Sequence, residues 1–152
     1  MIAINDLRAC PDFQDMVADR VWRAWWKDRG VPLAALADHV GTGLVPGAIP
    51  TMLVAHEEGV FIGTASVLEY DQSERPNLTP WVASLWVEPS YRAKGVGADL
   101  VREAAKVIFD AGHSQAHLCA SPKLRAFYQK RGWTLLEANV GEGRLDVFSM
   151  AA

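Results

Sequence analysis

The stretch "VEPSYRAKGVG", Val87 to Gly97, constrains the fold more than any other part of the chain. An apolar run ends at Pro89, two basic residues and two glycines follow, and an amphipathic pattern then begins. A helix start exposes backbone N–H groups that have no internal partner, and its dipole favours negative charge there. Gly95 and Gly97 let the backbone pass close to a bulky ligand, and Arg92 and Lys94 add positive charge. Arg92 to Ala98 therefore reads as a cradle for a phosphate or pyrophosphate, or as a tight turn with solvated basic side chains. Two other phosphate loops are excluded. There is no G-x-x-x-x-G-K-[ST], and Asp99 and Leu100 stand where a dinucleotide fingerprint needs its third glycine. The turn also follows the fourth strand, whereas a dinucleotide fold places its glycine turn after the first.

The rest of the chain supplies an alternation of strands and helices. "IAINDL" reads as a first strand. After Pro11, Phe13, Met16, Val17, Val21, Ala24 and Trp25 recur at helical spacing. A second helix follows Pro32, with Leu33, Leu36, Ala37 and Val40 on one face and Gly41 as its stop. "TMLVAHEEG" and "VFIGTASVLEY" form a hairpin around "EEG". A polar loop, "DQSERPNLTP", leads to "WVASLWV". From Val96, Leu100, Ala104, Val107, Ile108 and Ala111 again mark a helix, with Gly112 at its end. "SQAHLCA" is a fifth strand. Ser121-Pro122 gives an N-cap and a first-turn proline for a helix that Gly132 closes. "WTLLEA" and "RLDVFSM" make a last hairpin through "NVGEG". The expectation is an α/β (α+β) fold in which a mixed seven-stranded sheet is flanked by about four helices.

At 152 residues the chain suits one domain, residues 1–152. A net charge of −3 disfavours a general nucleic-acid binder. Only Cys10 and Cys119 are present, far apart, which fits a reducing compartment and gives no disulfide framework. The start "MIAINDLRAC" lacks the pattern of a secretion signal, and no apolar run reaches the length of a membrane span. A cytoplasmic protein without membrane or nucleic-acid partners is expected. His113 and His117 stand too far apart on an extended strand, about 13 Å, to share an ion. His117 with Cys119 would be too few ligands for a structural metal, so no metal is expected.

"LWVEPSYRAKGVGADLV" resembles the central motif of the GNAT acyltransferase superfamily, Val-x-Pro-x-x-Arg-x-x-Gly-x-Gly. "LRAFYQKRGW" resembles the later motif of the same family, a helix with a tyrosine near its end followed by Gly-aromatic. Both motifs occur in order, and the element order of the whole chain agrees. The resemblance implies a GNAT-like acyl-CoA N-acyltransferase fold and an N-acetyltransferase using acetyl-CoA as acyl donor, by direct transfer in a ternary complex. It implies that the backbone of Leu85, Trp86 and Val87 pairs with the pantetheine arm. It further implies that Arg92, Ala93, Lys94, Gly95, Val96, Gly97 and Ala98 cradle the pyrophosphate. Tyr128 stands where the family places the acid that protonates the departing thiolate; its bland alternative is packing in the stripe of Leu124, Phe127 and Tyr128.

Two positions depart from the family pattern. Many relatives carry asparagine where Ser121 stands; serine can bond the cofactor or simply cap the helix. Several relatives use a glutamate on the fourth strand as general base, and "WVASLWV" has no carboxylate. Glu69 and Asp71 are the candidate replacements, or else a solvated strand end. Trp22, Trp26 and Trp81 with Asp71 and Glu74 could enclose a cationic amine, or be core or a dimer surface. The acceptor is expected to be a small-molecule or peptide amine, and homodimers are common among relatives. Two rivals remain. One is a non-catalytic acyl-CoA-binding or sensor module on the same scaffold. The other is an acyltransferase for longer chains or alcohols.

Overall fold

A computed structural model describes residues 1–152. Seven strands form one sheet in the order β1-β2-β3-β4-β5-β7-β6. They are β1 (Ala3–Asp6), β2 (Thr51–Glu57), β3 (Val60–Leu68), β4 (Trp81–Val87), β5 (Gln115–Ala120), β6 (Thr134–Val140) and β7 (Leu145–Ala151). Every neighbouring pair is antiparallel except β4 and β5, which run parallel. The long helix α3 (Val96–Asp110) makes the β4–β5 crossover, as a parallel pair requires.

Two apolar cores cover the two faces of the sheet. On one, α3 contributes Val96, Leu100, Val101, Ala104, Ala105 and Ile108, all buried against β2–β5, with Tyr128 and Trp133 beside them. These positions recur at helical spacing, so one stripe of α3 is removed from water while its opposite side carries charges. On the other face, α1 (Gln14–Val21) and α2 (Leu33–Gly41) bury Val17, Val21, Leu36 and Val40 on Met52, Val54 and Phe61. β2 and β3 are consequently apolar on both faces.

The first helix departs from the expected stripe. Met16 and Trp25 are 37% and 40% exposed. After Val21 the chain widens into a π turn, Trp22–Trp26, that rotates the following side chains away from the α1 face. Leu33, at the start of α2, is likewise exposed. The helix after Ser121 is short: a 3₁₀ turn, Pro122–Leu124, leads into α4 (Arg125–Gln129).

Candidate active site

β4 and β5 are joined at a single residue pair, Trp81 with His117. The His117 N–H donates to Pro80 O at 3.1 Å. Toward their carboxyl ends the strands separate, and no residue of Val82–Val87 pairs with β5. On the β3 side the register slips by one, so Ser84 and Leu85 have no partner there either. Ser84 sits at φ 51°, in the left-handed region, and forms a bulge that bends the strand. The result is a gap between parallel strands whose edges present unpaired backbone, which carries hydrogen-bonding capacity that a ligand could use. Leu85 and Val87 pack on the α3 side and Trp86 on the α1–α2 side.

The turn at the open end of this gap leaves six successive amides free. The chain offers no aligned acceptor to any N–H from Ala93 to Ala98; the first to be satisfied is Asp99, which donates to Gly95 O at 3.0 Å. Ala93 (φ 61°) and Gly95 (φ 85°) are both left-handed. For Ala93 this costs on the order of 1–2 kcal/mol, strain of the sort that collects at ligand sites. Arg92, Ala93, Lys94 and Gly95 are exposed, Val96 is buried, and Gly97 and Ala98 are half-buried. The Arg92 side chain lies back over β4: its Nε donates to Val87 O at 2.9 Å and its guanidinium stacks on Trp86 at 4.7 Å. Lys94 lies 5.6 Å over the Tyr91 ring.

Across the gap, α4 follows β5 and carries Tyr128. Its ring is 5% exposed and packs edge-on against Phe127 and obliquely on Phe148. Its hydroxyl makes no hydrogen bond within the chain and is not walled off from solvent. Burial, with a lesser contribution from the nearby Cys119 thiol, pushes the phenol up to about 12. Arg125 anchors α4 by a fork, Nε and Nη2 donating to Asp146 Oδ2 and Oδ1 at 2.7 and 2.9 Å. Ser121 Oγ accepts from Lys123 N–H at 3.3 Å, the capping role open to it from the sequence.

Of the two candidate bases, Asp71 touches β5. The Cys119 thiol on β5 donates to Asp71 Oδ2 at 3.3 Å. Burial raises the Asp71 carboxyl, opposed by that bond and by the charge of His39 on α2; Asp71 is exposed as a residue, so solvent limits the rise. Burial pushes the Cys119 thiol up to about 12. Glu69 enters the structure only through its carbonyl, which accepts from Thr79.

Trp22, Trp26 and Trp81 do not come together as an amine cage. Trp81 is fully buried beside Leu78, Val140 and Val147, with its Nε1 donating to Leu78 O at 2.6 Å. Trp22 and Trp26 carry the chain's own cations, Lys27 and Arg29. A groove of about 530 Å³ starts at Ala98 and follows α3 past Arg102 and Phe109 toward Trp133 and Met150, beside the gap rather than inside it.

The sequence profile of the acetyltransferase (GNAT) domain matches residues 49–135. No curated protein matches the sequence. An acetyltransferase from Streptococcus agalactiae is similar in structure with a TM-score of 0.71 at 12% identity, over 99% of this chain and 98% of that one. Aminoglycoside 6'-acetyltransferase type Ii aligns with a TM-score of 0.71 at 20% identity, over 99% and 96%. The protein yncA from Salmonella typhimurium, solved with its cofactor acetyl-CoA, aligns with a TM-score of 0.67 at 21% identity, over 99% and 92%. At these identities the likeness is one of fold.

Proposed function

Because the chain belongs to the GNAT acetyltransferase family, it is an acyltransferase, and we propose that it moves an acetyl group from acetyl-CoA to a primary amine by direct attack in a ternary complex. The observation that carries this reading is the run of free amides from Ala93 to Ala98 at the mouth of the β4–β5 gap, with the free Tyr128 hydroxyl on the helix that follows β5. Residues 1–152 act as one catalytic domain in this reading.

Those amides donate to the donor's diphosphate, and Lys94 balances its charge. The pantetheine amides find partners on the backbone that β4 turns toward the gap at Leu85, Trp86 and Val87, as an added strand would. The acceptor nitrogen attacks the thioester carbon, forming the C–N bond and placing charge on the carbonyl oxygen, which a β4 backbone N–H stabilises. The amine proton passes to Asp71, directly or through water. Collapse breaks the C–S bond, and the departing thiolate takes the Tyr128 proton. A phenol pushed up to about 12 holds that proton at neutral pH. A Cys119 thiol pushed up to about 12 is a poor nucleophile, which supports transfer without an acyl-enzyme. The absence of a carboxylate on β4 favours one rival, a module that binds acyl-CoA without turning it over.

The test is thiol release and product mass over a panel of primary amines, for the parent and Tyr128→Phe. Acetyl-CoA should raise the melting temperature, at least one amine should gain an acetyl mass, and Tyr128→Phe should slow release by about 100-fold. No stabilisation by acetyl-CoA would end this reading. Stabilisation without turnover on any amine would favour the binding module.

A further inference from the structure

We propose that Glu88 is a positioning residue for the donor cradle, tying it to helix α1 on the far side of the sheet, so that donor affinity depends on a contact with α1. The proposal rests on the acetyl-CoA reading above.

Glu88 leaves β4 directly ahead of Pro89, and both of its carboxylate oxygens are engaged. Oε1 accepts from Arg20 Nε on α1 at 2.8 Å, and Oε2 accepts from Trp86 Nε1 at 3.2 Å. Its own N–H donates to Ile62 O at 2.8 Å, which fixes the residue to β3. The Arg20 and Glu88 side chains are 28% and 19% exposed, so the pair is partly withdrawn from water. Arg20 is braced in turn by Asp19, which also accepts from Arg23.

The Trp86 indole that Glu88 holds is the surface on which the Arg92 guanidinium rests, 4.7 Å from the ring. Arg92 Nε also ties to Val87 O at 2.9 Å. Arg92 precedes Ala93, whose left-handed backbone opens the run of free amides. A continuous series of contacts thus runs from α1 through Arg20, Glu88, Trp86 and Arg92 to the strained turn. If Glu88 is removed, the indole loses its acceptor, Arg20 keeps only Asp19 on its own helix, and Arg92 rests on a ring free to tilt. The Ala93 strain is then no longer opposed and the amides lose their common aim. A simple clamp of α1 on the sheet would change stability alone; this arrangement also changes donor affinity.

The experiment is calorimetric titration of acetyl-CoA into the parent, Arg20→Ala, Glu88→Gln, Glu88→Ala and the Arg20→Ala/Glu88→Ala double variant, each shown folded by circular dichroism at the titration temperature. Arg20→Ala and Glu88→Ala should each weaken binding by about three- to tenfold, and the double variant no more than the weaker single. Glu88→Gln, which keeps an acceptor for Trp86 but no charge for Arg20, should fall between. Variants with lower melting temperatures and parental affinity would reduce the contact to a clamp and overturn the proposal, as would independent losses that simply multiply. A parent that does not bind acetyl-CoA would remove the functional reading and this proposal together; parental binding with unaltered variants removes the proposal alone.

Discussion

Replacing Gly97 by alanine should stabilise the fold and weaken donor binding at the same time. Gly97 lies in the first turn of α3, and a Cβ added there would meet only Val87 Cγ2 at 3.7 Å and Leu85 Cδ2 at 3.8 Å, both ordinary contacts. Alanine is favoured over glycine within a helix by up to about 1 kcal/mol, worth roughly 2–4 °C in a chain of this size. The same methyl would stand among the free amides of Ala93 to Ala98, where the donor's diphosphate is proposed to approach the backbone closely. Overpacking of about 1–3 kcal/mol corresponds to a loss of donor affinity of roughly five- to 150-fold. Gly63→Ala is the control, because its Cβ would fall 2.7 Å from Trp86 O and 3.1 Å from Leu100 Cδ1. That change should lower both stability and affinity. Scanning calorimetry and acetyl-CoA titration read the two quantities separately. A Gly97→Ala protein that binds acetyl-CoA as the parent does would refute the assignment of this space to the donor.

Asp71→Asn should reduce kcat by about 100-fold without changing the KM for acetyl-CoA. In the parent, activity should decline as pH falls through an Asp71 pKa above the ordinary aspartate value of 3.8, as a pH–rate profile will show. The Tyr128 phenol is held neutral by the fold, at about 12 against an ordinary 10.0, so stability should fall as pH rises between those values. Tyr128→Phe should flatten that decline in urea titrations, measured in a Cys119→Ala background because the thiol titrates over the overlapping range from 9.0 to about 12. Asp146, held low by the Arg125 fork, stabilises the fold above the ordinary carboxylate value and ceases to do so as pH falls through its lowered one. Asp146→Asn should therefore lower the melting temperature at neutral pH and reduce kcat by loosening α4, and Arg125→Lys, which cannot fork, should act in the same direction.

The order of elements was legible because each carries its own period and punctuation. β2 and β3 are apolar runs around Glu58-Gly59, and α3 is a clean stripe ending at Gly112. The π turn at Trp22–Trp26 was not, because local spacing over "WRAWW" fits an ordinary helix equally well. Free amides at the β4–α3 turn could be expected from Gly95 and Gly97, yet the left-handed Ala93 and Ser84 carry no residue signature. Asp71 was one of two candidates, and only the fold separates it from Glu69, because the contact with Cys119 spans the sheet. The Arg20–Glu88 bond joins residues that no short pattern connects. Trp81 is the converse case: its type invited a binding role, but its neighbours Leu78, Val140 and Val147 enclose it.

The sheet is fastened between its two halves by one rung at Trp81 and His117, and the rest of that seam is open. A guest that bridged such a seam would contribute to folding as well as to binding. By mass action, each tenfold excess of such a guest over its dissociation constant adds about 1.4 kcal/mol to the folded state. On the proposed placement of the acyl donor in this seam, the donor is also a conditional staple, and the folded fraction is expected to rise and fall with its supply.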